Sequence, residues 1–104
     1  VGTNSAATAA MLRAGADRGA TGENAVIAGC RRADVIAGPL GLVIADALLG
    51  EITPAMALAV GQSRAKRILI PVNHCDNIVV GVADLNMGGL IQEAVERILA
   101  LRHA

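Results

Sequence analysis

Apolar positions along the chain alternate between short β-branched runs and longer stretches at helical spacing, which predicts strands and helices in alternation. Val35-Ile36-Ala37, stopped by Gly38-Pro39, and Arg67-Ile68-Leu69-Ile70-Pro71-Val72 read as strands buried on both faces. Asn77 to Val82, centred on Ile78-Val79-Val80, reads as a further strand. Val1 followed by Gly-Thr-Asn-Ser reads as a strand end, a turn and a helix N-cap at Asn4 or Ser5. The Ala-rich helix that follows covers Ala6 to Ala14, with Gly15 as its stop. Ala16 to Thr21 holds at most a short strand, and Thr21 is expected to cap a second helix ending near Ala33. Leu40 to Leu49 has helical spacing but is apolar on both sides, which predicts a helix covered all round. Thr53-Pro54 opens a helix running toward Ala65, and Asn86 caps a terminal helix with Leu90, Ile91, Ala94, Val95 and Ile98 on its buried stripe. Short connections between such elements predict an α/β domain with a mainly parallel sheet.

Composition narrows this picture. With 104 residues the chain supports one domain with one core. Hydrophobic residues are 54% and charged residues 17%, so disorder is excluded. Nine Lys and Arg balance nine Asp and Glu, and no aromatic residue is present. Nucleic acid is therefore not an expected partner, because neither a basic excess nor a base-stacking platform is available. A membrane span is not expected either. The apolar stretch from Val35 to Ser63 is interrupted by Asp46 and broken up by Pro39, Pro54 and four glycines. Cys30 and Cys75 form no zinc or redox spacing, and no secretory pattern is present, so a cytoplasmic location with free thiols is expected. Because a doubly wound sheet places its first strand centrally, a chain opening at the end of a strand is expected to be a fragment or to have its core completed by association.

The segments 2–12 (Gly-Thr-Asn-Ser-Ala-Ala-Thr-Ala-Ala-Met-Leu), 14–26 (Ala-Gly-Ala-Asp-Arg-Gly-Ala-Thr-Gly-Glu-Asn-Ala-Val), 49–56 (Leu-Gly-Glu-Ile-Thr-Pro-Ala-Met) and 68–73 (Ile-Leu-Ile-Pro-Val-Asn) resemble a family of short bacterial proteins of unknown function. The resemblance covers essentially the whole chain. It implies a Rossmann-like three-layer sandwich and no established activity. Full-length members begin with one more βα unit, whose strand ends in a Gly-rich turn; by this resemblance the first βα unit is absent here. Members often carry Asn-Arg-Cys after the penultimate strand, where this chain has Asn73-His74-Cys75.

In open parallel sheets, ligands sit beyond the carboxyl ends of the strands, where helix N-termini converge. The segments expected there supply the candidate ligand-binding residues Thr3, Asn4, Ser5, Thr21, Gly22, Asn24, Gly38, Gly41 and Asn73. Caps and turns call for the same residue types at the same places. Thr3 and Asn4 stand where a nicotinamide dinucleotide site usually offers a carboxylate to the ribose, so NAD is not favoured. Glu23, beside Asn24 at a helix start, can hold a hydroxyl-bearing ligand or act as a base, and equally suits the helix dipole. Cys75 beside His74 is the candidate nucleophile, against a buried loop thiol, while Cys30 reads as a core residue. Consecutive His74, Cys75 and Asp76 cannot readily converge on one ion, so no metal site is expected. Asp46, on an apolar helix, must reach the ligand edge, a helix N-terminus or the surface. Arg13, Arg18, Arg31 and Arg32 read as solvated helix-end charges, and His103 as a cation near a helix C-terminus.

The expected function is binding of a nucleotide or small phosphorylated metabolite, with a nucleotide or phosphate as ligand and no reaction assigned. The alternative is a non-catalytic assembly or regulatory protein. Leu42, Ala45 and Leu49, opposite Leu40, Val43 and Ile44, predict a homo-oligomer through the central helix.

Overall fold

A computed structural model describes residues 1–72, 76–81 and 86–102. In chain order the elements are α1 (Ser5–Arg13), α2 (Glu23–Arg32), β1 (Val35–Pro39), a 3₁₀ turn (Leu40–Val43), α3 (Pro54–Gln62), β2 (Lys66–Ile70) and α4 (Met87–Leu101). β1 and β2 form a parallel two-stranded sheet in the register Val35 to Lys66 through Pro39 to Ile70. A second parallel contact is a single bridge, in which Gly2 N–H donates to Ala20 O and Gly22 N–H donates to Gly2 O, each at 3.0 Å. The chain is thus a mixed α/β protein with a small parallel sheet.

Local chemistry sets the helix starts. Asn4 caps α1, its Oδ1 accepting from Ala7 N–H at 2.8 Å. Thr53 Oγ1 caps α3 by accepting from Met56 N–H at 3.2 Å, with Pro54 at the first helical position. Asn86 Oδ1 caps α4 by accepting from Gly89 N–H at 2.7 Å. The helix after Thr21 departs from expectation. Its N-cap is Gly22, at φ +97°, and no side chain caps it. Thr21 is instead held by the bridge to Gly2 and by a 2.7 Å hydrogen bond between its hydroxyl and that of Thr8.

Two expected elements do not form. Leu40 to Leu49 is not a helix: the 3₁₀ turn stops at Val43, and Asp46, Leu48 and Leu49 adopt positive φ of 66°, 56° and 57°. The reason is packing. A straight helix of this composition would need cover on every side, whereas the compact turn through residues 44–52 buries Ala47 and Ile52 and lays Leu42, Ile44 and Leu48 against them. Asp46 stands in this turn and is exposed, with its N–H donating to Ile52 O at 2.7 Å. Likewise, residues 77–81 do not pair as a strand, and Ile78 and Val80 are almost fully exposed. They pair with neither β1 nor β2, and β-branching alone does not make them a strand.

The core centres on Ala47, Ile52 and Met56, extended by Val60, Ala65 and Leu90. On α4 only Leu90 is fully buried and Ala94 and Ile98 are half-buried, while Ile91 and Val95, expected inside, are exposed. No helix among the described residues is long and apolar enough to cross a membrane. Ile52 is the largest fully buried side chain, so Ile52→Ala should lower stability by about 2–5 kcal/mol in urea-denaturation measurements.

Candidate functional site

The Gly2·Thr21 bridge fixes the candidate site, because α1 begins three residues after one partner and α2 two residues after the other. The chains cross closely there. A Cβ on Gly2 would lie 2.6 Å from the Thr8 backbone nitrogen, so only glycine fits. Thr8 is the one buried polar residue among those described. Its hydroxyl lies 3.1 Å from Ala20 O and 3.3 Å from Asn4 O. The Thr8 and Thr21 hydroxyls also share a 2.7 Å hydrogen bond. Thr21 is therefore engaged in holding the crossing together.

At the surface of this crossing, Thr3 Oγ1 donates to Glu51 Oε2 at 2.8 Å, and Asn4 Nδ2 donates to Glu51 Oε1 at 3.1 Å. All three residues sit at or near the surface. Glu51 escapes sequence reading because it lies 47 residues from Asn4 and belongs to no motif. Its one sequence signal is a charge interrupting an apolar stretch directly after Gly50.

The two helix starts differ chemically. Asn4 already satisfies an N–H at the start of α1, whereas the start of α2 is without a side-chain cap. Its N–H groups can take an acceptor from a ligand. Glu23 and Asn24 stand in that first turn, exposed, and Glu23 makes no hydrogen bond or ion pair among the described residues. Ser5 is exposed at the first position of α1.

Gly38 and Gly41 serve packing. The Leu42 side chain lies against Gly38, and Gly41 is buried in the 3₁₀ turn. Asn73, His74, Cys75 and His103 lie outside the described residues, so the structure does not place them relative to Asn4 and Glu23.

Behind Thr3 opens a cavity of about 260 Å³, walled by Val1, Val26, Cys30, Ile36, Ile52 and Met56 among others. It separates the first residues of the chain from β1 and is largely apolar. Burial pushes the Cys30 thiol up from its ordinary range. Arg64, Lys66 and Arg67 share a depression with Asp34 at the start of the sheet, and Arg67 Nη1 donates to Ser63 O at 2.7 Å beyond the end of α3. Among the described residues there is no cluster of three His, Cys, Asp or Glu able to hold a metal ion.

The profile of a protein family described as Domain of unknown function (DUF3842) matches residues 1–103. The chain belongs to this family. No curated protein and no solved structure matches it.

Gly2→Ala should open the crossing at the head of this DUF3842 domain and cost about 1–3 kcal/mol, read from the unfolding midpoint. Because its pKa is raised, Cys30 keeps its proton as the pH rises through the usual thiol range, while an unfolded chain loses it. Folding stability should accordingly fall with pH there. In a Cys75→Ser background, iodoacetamide should modify folded Cys30 more slowly than the urea-unfolded chain at the same pH.

Proposed function

We propose that this chain is a Rossmann-like protein that binds a nucleotide or small phosphorylated metabolite where α1 and α2 begin. The observation that carries the reading is the parallel Gly2·Thr21 bridge, which brings the glycine-capped, otherwise uncapped start of α2 beside Thr3 and Asn4. A phosphate at that start accepts from backbone N–H groups, and the helix dipole favours it without a nearby cation. Glu51, already accepting from Thr3 and Asn4, supplies a carboxylate for ligand hydroxyls. That combination favours a ribose phosphate over bare phosphate. The apolar cavity reached past Thr3 takes the flat, uncharged part of such a ligand. A cytoplasmic setting goes with this reading, since it keeps Cys30 reduced. The function is binding, with no reaction assigned.

Thermal-shift titration with adenosine and guanosine nucleotides, and with inorganic phosphate as the control, tests the reading. A nucleotide at about 100 times its Kd should stabilise the fold by about 2.7 kcal/mol. Glu23→Gln and Glu51→Gln, both at exposed positions, should weaken binding roughly tenfold while leaving the ligand-free unfolding midpoint nearly unchanged. Absence of any shift at millimolar nucleotide would remove the proposal. A stability change in Glu23→Gln without a change in affinity would assign that residue a structural role.

A further inference from the structure

Hydrogen bonds at the Gly2·Thr21 crossing sort its groups into those that give protons and those that take them. Thr3 Oγ1 has one proton, and it goes to Glu51 Oε2 at 2.8 Å. Asn4 Nδ2 faces the same carboxylate, 3.1 Å from Oε1 and 3.4 Å from Oε2, while its Oδ1 accepts from Ala7 N–H at 2.8 Å. Thr3 and Asn4 are neutral, yet together they hold a carboxylate. Their donors are turned toward Glu51, so what faces a ligand is acceptor capacity. A carboxylate has about four lone-pair sites. The contacts from Thr3 and Asn4 leave Oε1 with room for a further donor, and the second contact to Oε2 is the long one.

The start of α2 has the opposite character. No side chain caps it, so its first backbone N–H groups are free to donate. The bridge ties the two places together, since Thr3 directly follows one of its partners and Gly22, the N-cap of α2, directly follows the other. A ligand lying across the crossing therefore meets donors on one side and acceptors on the other. A phosphate matches the donors. Against Glu51, which has no ion pair among the described residues, it would set anion against anion.

We propose that Glu51 reads the paired hydroxyls of an unmodified ribose, so that the site selects ribonucleotides over 2′-deoxyribonucleotides and rejects a 2′-phosphate. Selection of this kind rests on the reading of the start of α2 as a phosphate site, and adds which sugar goes with it. One ribose hydroxyl donates to Oε1; its neighbour donates to Oε2 in place of the long contact from Asn4 Nδ2. Thr3 and Asn4 hold the carboxylate beforehand, so little side-chain entropy is lost when the sugar arrives. A deoxyribose leaves one carboxylate oxygen without its donor, and a site arranged around a hydroxyl discriminates against the analogue that lacks it. The backbone beneath Glu51 is anchored as well, because the next residue, Ile52, is 2% exposed in the core.

Isothermal titration calorimetry on the full 104-residue chain, with AMP and GMP, their 2′-deoxy forms and adenosine 2′,5′-bisphosphate, tests this selection. The ribonucleotide should bind about tenfold more tightly than its 2′-deoxy form, and the bisphosphate should bind no better than the deoxy form. Glu51→Gln should bring the ribo and deoxy forms to equal affinity by weakening the ribo form alone. A residue with a purely structural role would weaken both alike and leave their ratio unchanged. Equal affinity of the unmutated chain for the two sugars overturns this inference and leaves the nucleotide reading standing. A preference that survives Glu51→Gln also overturns it, as does a bisphosphate that binds as tightly as AMP. No binding of either form removes the nucleotide reading itself, and sugar selection with it.

Discussion

The turn through residues 44–52 holds this structure together, because its adjacent residues Glu51 and Ile52 face opposite tasks. Ile52 is buried with Ala47 and Met56 at the centre of the core, while Glu51 reaches out to accept hydrogen bonds from Thr3 and Asn4. Positive φ at Asp46, Leu48 and Leu49 makes this possible, at a backbone cost of about 1–2 kcal/mol for each residue. The turn's own hydrogen bonds offset part of that cost: Asp46 N–H to Ile52 O at 2.7 Å, Ile52 N–H to Ala47 O at 3.1 Å and Gly50 N–H to Asp46 O at 3.1 Å. Burial of Ile52 and Ala47 supplies the remainder. One strained connection thus joins the core to the start of α1.

That connection also shapes the electrostatics of the site. It delivers a carboxylate to the crossing of Gly2 and Thr21, while Arg64, Lys66 and Arg67 gather at the start of the sheet. A chain of zero net charge is therefore unevenly charged over its surface. On the proposed reading, an anion at the start of α2 would rely on backbone N–H groups and the helix dipole, since no side chain caps that helix. The same unevenness puts Arg31 and Arg64 along a groove between α2 and α3.

Much of the fold and part of the site were legible in the residues, and for local reasons. Thr53-Pro54, Asn4 and Asn86 act through hydrogen bonds within three residues, so the helix starts they set follow from the chain alone. Val35-Ile36-Ala37 and Ile68-Leu69-Ile70 are strands because short β-branched and Leu-rich runs suit the extended backbone, but neither strand is buried on both faces as expected: a sheet of two strands leaves their residues half-buried or exposed. Family membership too is carried by the residues, over positions 1–103. Thr3, Asn4 and Glu23 could be placed at helix starts, since caps and first-turn charges obey the same short-range rules.

What the tertiary structure alone decided involves partners distant in sequence. Leu40 to Leu49 has helical spacing, yet it folds as a turn because burying Ala47 and Ile52 against Met56 outweighs local helix preference. Ile78 and Val80 have strand chemistry, yet they stay exposed and pair with no described strand, because β-branching suits a strand without supplying its partner. Glu51 joins Thr3 and Asn4 across almost half the chain, and Thr21 gives up its capping role because Thr8 lies within hydrogen-bond reach. The residues by themselves thus determined the α/β class, the caps of α1, α3 and α4 and the two paired strands, whose causes lie within a few positions. The turn, the site carboxylate and the uncovered face of α4 depend on which distant surfaces meet, and spacing along one chain does not encode that.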